Sequence, residues 1–311
     1  MSSDLHRSLE EYLIVRRSLG YKLDSVARAL RGFVAFADQT GADTISTELA
    51  LAWAVRPSQA SPIWLAHRLS MVRGFARYLH TVNPATEIPP ADLLCARGYR
   101  PAAPYLYSEA DITALMAAAG RLAAPLRAAT FQTLIGLLAV TGLRIGEAMR
   151  LDRGDVDWVD AVLRVRDSKF GRSREVLCHD STIAALRAYS IRRDQLCPRP
   201  SASPSFFVST SGTRLMHNTV YPTFHELVRQ TGLHRQSPSH RPRVHDLRHA
   251  FAVRTLIRWY RDGEDVETRL PLLSTYLGHA NPAATYWYLS AAPELMALAL
   301  ERLERADGQR Q

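Results

Sequence analysis

The key segment of this chain reads Leu277-Gly278-His279-Ala280-Asn281-Pro282-Ala283-Ala284-Thr285-Tyr286-Trp287-Tyr288. Gly278 is typical of the end of one helix and the Asn-Pro pair of the start of the next, so a new helix is predicted from Pro282 onward. His279 lies at the junction, nine residues before Tyr288. Since each residue turns a helix by about 100°, Tyr286 and Tyr288 point to roughly opposite sides, and only one of them can face a functional site.

Three upstream segments change how this helix is interpreted. Taken alone, the tyrosines of such a helix more often pack in the core than take part in catalysis. They are Thr141-Gly142-Leu143-Arg144-Ile145-Gly146-Glu147, Lys169 in a predicted hairpin, and His245-Asp246-Leu247-Arg248-His249. In this order the set resembles the tyrosine recombinases, also called the phage integrase family. The resemblance covers residues 108–311 strongly and the first hundred residues only in general character.

The resemblance implies a mainly α fold with a small β-hairpin or sheet, arranged in two domains. A helical core-binding domain that clamps DNA would span residues 1–100, a linker residues 101–107, and a mixed α/β catalytic domain residues 108–311. The first part does show apolar residues at helical spacing, and residues 83–107 contain five prolines, which is typical of a linker. Without the C-terminal motifs, a helical bundle with a solvated basic face would be the simpler interpretation of the first part.

Local patterns predict the helices around these motifs. Ser46 and Ser108 have the form of helix caps. The Thr-Gly pair before Leu143 breaks one helix, and a new helix is predicted near Arg144. An arginine at such a junction, beside helix amides, suits an oxyanion.

Two patterns predict β structure. Residues 161–165 and 174–177 alternate in polarity and predict a hairpin with Lys169 at its tip. Residues 206–208 form an aromatic and β-branched run that predicts a further short strand.

The resemblance implies that a tyrosine cuts a phosphodiester bond. Tyr288 would attack the scissile phosphate, form a 3′-phosphotyrosyl link and release a 5′-hydroxyl. Arg144 and Arg248 would bind the non-bridging oxygens, and His279 would donate a third hydrogen bond. Because the free pKa of tyrosine is about 10, these cations would also need to favour the phenolate.

Two further residues would move protons. Lys169 would protonate the departing 5′ oxygen, and His245, on the same helix face as Arg248, would assist proton transfer near the nucleophile. Of the 39 basic residues only Lys22 and Lys169 are lysine. A lysine can give up a proton at usable pH and an arginine cannot, which favours an acid role for Lys169 over that of a solvated hairpin lysine.

The net charge of +9 favours a polyanionic partner, although charge alone does not identify one. The resemblance implies double-stranded DNA, bound by a homo-tetramer or by a mixed tetramer with sister recombinases, and a role on a mobile element. Residues 293–305 have apolar positions in helical register. In relatives such a tail docks on a neighbouring protomer, and packing on its own domain is the alternative that stays open.

No cofactor is expected. Cys95, Cys178 and Cys197 show no Cys-x-x-Cys spacing, which argues against a zinc site or a disulfide framework and fits a reducing cytoplasm. A phosphotyrosyl link conserves the energy of the phosphodiester bond, so no ATP is expected. No metal is expected either, because the candidate residues supply the nucleophile, the stabilising charges and the acid. The longest apolar run, residues 131–140, is about half of what a bilayer crossing needs, and no signal peptide is recognised, so no membrane partner is expected.

Other functions stay open at this stage. A type IB topoisomerase would use the same chemistry to relax supercoils, and rejoining between two different duplexes would distinguish the two activities. A catalytically inactive DNA-binding accessory subunit would be expected to lack at least one of the six candidate residues, which are all present. A metal-dependent nuclease would need a carboxylate cluster, and none is apparent in the sequence.

Overall fold

The computed structural model describes residues 4–94, 104–166, 173–197, 203–233, 241–279, 281, 283–291 and 293–308. The chain divides into two compact units, residues 1–101 and 102–311. Most of the described residues are helical, and the described strands form one small sheet. The predicted fold class, mainly α with a small sheet, is confirmed.

The N-terminal unit contains four helices: α1 (Asp4–Ser18), α2 (Asp24–Gln39), α3 (Thr47–Val55) and α4 (Pro62–His80). Their apolar faces meet in one core that includes Leu13, Phe33 and Phe75, all fully buried. The hydroxyl of Ser46 accepts the main-chain N–H of Leu49 and caps α3 as predicted. The helical character expected from the apolar spacing of this part is therefore present.

Two arginines of α4 donate to main-chain carbonyl groups of the same unit. Arg68 binds two carbonyls at the end of α3, including that of Trp53 at 2.9 Å, and its guanidinium lies 3.7 Å over the Trp53 ring. Arg73 binds the carbonyls of Pro89 and Pro90 at 2.7 and 2.8 Å. These two cations stabilise the unit itself, so not every positive charge of α4 serves a partner.

Within the described residues, the C-terminal unit is built from nine α-helices, one short 3-10 helix (Arg153–Asp155) and three strands. The helices are α5 (Glu109–Gly120), α6 (Pro125–Thr141), α7 (Ile145–Arg150), α8 (Asp180–Leu196), α9 (His217–Gln230), α10 (Asp246–Arg261), α11 (Val266–Leu277), α12 (Ala283–Ala291) and α13 (Pro293–Gly308). The central helix α6 is buried along most of its length and packs against α5, α8 and α10. Ser108 caps α5 in a reciprocal capping box with Asp111, as predicted.

The sheet has the order β1 (Val156–Asp157), β2 (Val162–Val165) and β3 (Arg174–Leu177), and all pairs are antiparallel. Val165 lies opposite Arg174, so the predicted hairpin is present. The tip expected to carry Lys169 lies outside the described residues.

The predicted strand at residues 206–208 is wrong. Phe206 and Phe207 are buried in the core, but this stretch forms only an isolated bridge between Val208 and Arg214. The carbonyl of Phe206 accepts from the guanidinium of Arg193 at 2.8 Å. A side chain therefore occupies an acceptor that a neighbouring strand would otherwise use.

In this single chain α13 packs on its own domain, against α10. Leu295 is buried among apolar residues of α10 and α11, and Glu294 pairs with Arg261 at 2.5 Å. None of the helices in the described part of the chain has both the length and the apolar character that crossing a bilayer requires.

Candidate active site

Arg144 begins α7 at a sharp junction with α6. Gly142 ends α6 with a left-handed φ of +61°, and a Cβ there would lie 2.5 Å from Cδ1 of Phe251. Only glycine suits both this backbone conformation and this space. Arg144 then binds Glu147 twice, through its main-chain N–H to Oε2 (2.9 Å) and through Nη1 to Oε1 (2.8 Å).

Three successive carbonyl groups at the end of α11 each accept from a different arginine. The pairs are Tyr276 O with Nε of Arg174 (2.8 Å), Leu277 O with Nη2 of Arg248 (2.7 Å), and Gly278 O with Nη2 of Arg144 (3.0 Å). The last carbonyls of a helix lack intrahelical partners and form the negative end of its dipole. The end of α11 therefore gathers three cations in one place.

Arg248 is the most deeply buried of these cations, with 2% of the residue exposed. Besides Leu277, its guanidinium binds the carbonyl of Gly142 at 2.7 Å. It thus ties the α6–α7 junction to the end of α11. Burial and the nearby charge of Arg144 lower the pKa of Arg248 to about 10, which leaves it cationic at neutral pH.

Glu147 is a buried carboxylate between two arginines. Arg174 donates Nη1 to Oε1 (3.0 Å) and Nη2 to Oε2 (2.9 Å), in addition to the two bonds from Arg144. Burial alone would raise the pKa of Glu147, but Arg174 and Arg144 together hold that pKa at about 2. The carboxylate is therefore ionised throughout the working pH range and offsets part of the positive charge.

Tyr288 lies beside these cations. It is 2% exposed, and the positive charges of Arg248 and Arg144 act on its phenol. Burial raises the pKa of Tyr288, and Arg248 and Arg144 offset only part of that rise. The cations therefore favour the phenolate as expected, but burial has the larger effect and the phenol stays protonated in the DNA-free protein. Tyr286 is 50% exposed, so the two tyrosines face different sides of α12 as predicted.

His279 lies next to Tyr288, with ring centroids 6.1 Å apart and nearly parallel planes. Its main-chain N–H donates to the carbonyl of Ser274 (3.0 Å), and its Nδ1 is 2.6 Å from Oγ1 of the buried Thr285. Burial and the surrounding arginines lower the pKa of His279 to about 4. The imidazole is therefore neutral at pH 7.

Two histidines of the α10 start complete the site. The ring of His249 lies 4.8 Å from that of His245, 5.4 Å from Trp287 and 5.5 Å from Tyr288. Nδ1 of His249 is buried and has no hydrogen-bond partner among the described residues. Burial and neighbouring charges lower the pKa of His249 to about 4. The same causes lower the pKa of His245, part of which is exposed to solvent.

The structure brings together five of the six residues that the sequence singled out. They are Arg144, His245, Arg248, His279 and Tyr288. Lys169 lies outside the described residues. In the described ranges no group of three or more His, Cys, Asp or Glu side chains is arranged to hold a metal ion.

Sequence reasoning missed three residues of the site, namely Arg174, His249 and Thr285. Thr285 has a usable pattern, because it lies three residues before Tyr288 and so shares its helix face. His249 follows His245 by four residues, a spacing that also places two side chains on the same helix face. Arg174 has no comparable pattern, since its partners Glu147 and Tyr276 lie 27 and 102 residues away.

Two relatives of known sequence are similar to this chain over most of their length. A protein of Sinorhizobium fredii (strain NBRC 101917 / NGR234) named as integrase/recombinase y4rB is 49% identical over 308 residues, which cover 97% of this chain and 98% of the relative. The tyrosine recombinase XerD of Caulobacter vibrioides is 32% identical over 241 residues, covering 76% of this chain and 73% of that protein.

A solved structure shows the same fold. The Tn1549 transposon integrase in complex with transposon right end DNA matches with a TM-score of 0.64 at 17% identity, covering 96% of this chain and 98% of that one. The sequence model of the phage integrase family matches residues 106–294, more than half of the chain. The chain belongs to the phage integrase family of tyrosine recombinases.

Proposed function

We propose that this protein is a site-specific DNA recombinase that cuts and rejoins double-stranded DNA through a covalent link between Tyr288 and a 3′ phosphate. The observation that supports this most strongly is the buried phenol of Tyr288, which lies beside His279 and near enough to Arg248 and Arg144 for both to lower its pKa. Fixed cations stabilise the negative charge that grows on a phosphoryl group during attack. Tyr288 lies beside the groups that would stabilise this charge.

The first step forms the bond between Oη of Tyr288 and phosphorus and breaks the bond to the 5′ oxygen. Arg144 and Arg248 bind the two non-bridging oxygens. A guanidinium has five N–H donors, so each arginine can keep its two acceptors within the protein and also bind a phosphoryl oxygen. When the Thr285 hydroxyl donates to Nδ1 of His279, the ring proton lies on Nε2, which supplies the third hydrogen bond.

Two protons move in this step. The phenol of Tyr288 must lose its proton during attack, because its pKa is raised in the DNA-free protein. His245 is neutral at pH 7 and open to solvent, so it assists this transfer and passes the proton to water. Lys169 donates the proton that the departing 5′ oxygen needs.

The second step reverses the first on a different strand. A 5′-hydroxyl of another duplex attacks the phosphotyrosyl link, the phosphodiester is restored and Tyr288 is released. The phosphodiester bond energy is kept in the covalent link, so the cycle needs no ATP. Arg144, Arg248 and His279 stabilise the phosphoryl charge, so the cycle needs no metal ion either. Exchange between two duplexes requires four strand cuts, which we assign to a tetramer of this chain or of this chain with sister recombinases.

We also infer a role on a mobile element. The residues Tyr286-Trp287-Tyr288-Leu289 resemble those of integrases carried on such elements. The fold shared with a transposon integrase bound to transposon end DNA agrees with this role. The natural substrates to test are therefore the ends of the element that encodes the protein.

Trapping on a suicide DNA substrate tests the proposal. We expect the wild type and Tyr286→Phe to form a covalent protein–DNA band on a denaturing gel and Tyr288→Phe to form none. A band with Tyr288→Phe would show that the nucleophile is wrong. No band with any variant, on DNA that the protein binds, would favour an accessory DNA-binding subunit. Joining of two labelled duplexes separates recombination from supercoil relaxation.

A further inference from the structure

Arg174 contacts two separate parts of the site with all three nitrogens of its guanidinium. Nη1 and Nη2 form a bidentate pair with Glu147, and Nε donates to the carbonyl of Tyr276 at the end of α11. The side chain is only 12% exposed. An arginine that is engaged in this way stabilises the arrangement of its neighbours.

Gly278 packs directly against this guanidinium. Its φ is +69°, and a Cβ at this position would lie 2.9 Å from Nη1 and 3.0 Å from Cζ of Arg174. The carbonyl of Gly278 accepts from Arg144 at 3.0 Å. Arg174 therefore lies against the main-chain segment that orients Arg144.

Glu147 provides a second connection from Arg174 to Arg144. Oε1 of Glu147 accepts from both arginines, at 2.8 Å from Arg144 and 3.0 Å from Arg174. A bidentate pair fixes the plane of a carboxylate as well as its distance. The orientation of the Glu147 carboxylate, and so of Arg144, depends on Arg174.

We propose that Arg174 is a positioning residue that orients Arg144 for the scissile phosphate, through Glu147 on one side and the end of α11 on the other. This inference rests on the proposed function. Arg174 acts through Arg144 and is not assigned contact with the DNA. Lysine cannot form the planar two-point contact, so the role requires arginine.

The test uses the full-length protein on the suicide substrate at saturating DNA. We expect Arg174→Gln to slow covalent complex formation by about 30-fold or more, as for loss of an oriented charge contact, and Arg174→Lys to give an intermediate rate. DNA affinity from gel shifts should change by no more than about threefold. Arg164→Gln, on the neighbouring strand and 47% exposed, is the matched control and should react like the wild type.

The pH profile separates positioning from a general loss of structure. Glu147 faces three cations, Arg144, Arg174 and Arg248. Without Arg174 the carboxylate stays buried but loses two donors, so its pKa rises and it releases Arg144 when protonated. Relative to the wild type, Arg174→Gln should therefore lose further rate between pH 7 and pH 5. The double variant with Glu147→Gln should not show this additional loss.

Three results would overturn the inference. Arg174→Gln could react at the wild-type rate, its rate could fall only in proportion to its folded fraction, or Arg174→Lys could match the wild type. Each would remove the positioning role and leave the proposed function standing, and the Lys variant decides the question if the Gln variant does not fold. If the wild type forms no covalent complex on DNA that it binds, the proposed function and this inference fail together.

Discussion

Arg248 and Arg144 bind the same kind of acceptor but differ in burial, and this difference predicts their effects on stability. Arg248→Met leaves two buried carbonyls, those of Gly142 and Leu277, without their donors. Each such loss costs about 1–3 kcal/mol, so we expect the free energy of unfolding to fall by about 3 kcal/mol. Arg144 is 24% exposed, and Arg144→Met should cost about 1 kcal/mol.

Urea denaturation of the DNA-free variants measures this difference. Both substitutions should abolish covalent complex formation. Arg144→Met should therefore lose activity with little loss of stability, whereas Arg248→Met should lose both. Equal losses of stability would contradict the assignment of Arg248 as the structural link between α6 and α11.

The lowered pKa values of His249 and His279 predict that acid destabilises the protein. In the folded chain both imidazoles stay neutral down to about pH 4, against an ordinary value of 6.5. Between these values the unfolded chain binds more protons, so the free energy of unfolding rises with pH. The stabilisation is complete above about pH 6.5 and is lost as the pH falls toward 4.

His249→Phe removes one of these groups and should flatten the dependence of stability on pH between 7 and 4.5. His67→Phe, which removes an exposed histidine of the N-terminal unit, is the control and should leave the slope unchanged. Urea denaturation at several pH values gives both slopes. Parallel curves for the wild type and His249→Phe would show that His249 titrates normally in the folded chain.

Sequence spacing predicts which residues of the site share a helix face but not how deeply they are buried. The helix phase that separates Tyr286 from Tyr288 holds in the structure. The raised pKa of Tyr288 could not be predicted, because it depends on burial by α10 and α11. Arg174 could not be found either, since its contacts arise only when β3, α7 and α11 are assembled.

At the scale of elements, the α6–α7 junction links backbone conformation to chemistry. Gly142→Ala would place a Cβ 2.5 Å from Phe251 at a φ of +61°. The left-handed strain costs about 1 kcal/mol, and the clash about 1–3 kcal/mol. Because the carbonyl of Gly142 binds Arg248, we also expect the rate of covalent complex formation to fall at least tenfold.

Gly154→Ala is the matched control for this substitution. A Cβ on Gly154 meets no atom within 4 Å, so stability and trapping should stay close to those of the wild type. Thermal denaturation and the suicide substrate provide the two measurements. If Gly142→Ala keeps full activity, the contact between this carbonyl and Arg248 is not needed for cleavage.

Elements that form through contacts between residues close in sequence could be predicted, whereas those that depend on distant residues could not. Helix caps at Ser46 and Ser108 are local hydrogen bonds over three residues, and both were predictable. The aromatic run at residues 206–208 has strand composition, yet its backbone is satisfied by Arg193 and by isolated bridges. The composition of residues 206–208 does not reveal that Arg193 of α8 binds their backbone.

At the scale of the whole molecule, each unit has a buried core of its own, which predicts independent folding. The core of the N-terminal unit includes Leu13 and Phe75, and that of the C-terminal unit includes Phe131 and Leu163. We therefore expect residues 104–311 to fold when expressed alone. Circular dichroism and a cooperative urea transition measure this. A fragment that remains unfolded would show that the C-terminal unit depends on residues 1–101.

The same fragment tests whether both units bind DNA. Linking two binding modules raises affinity by about 10²–10⁴, so residues 104–311 alone should bind a target duplex at least about 100-fold more weakly than the full chain. Each phosphate contact that is lost also reduces the dependence of affinity on salt by about one unit of the logarithmic slope. Gel shifts at several salt concentrations measure both quantities. An unchanged slope together with unchanged affinity would mean that the N-terminal unit makes no contact with DNA, because a basic unit that binds phosphates must release counterions when it does so.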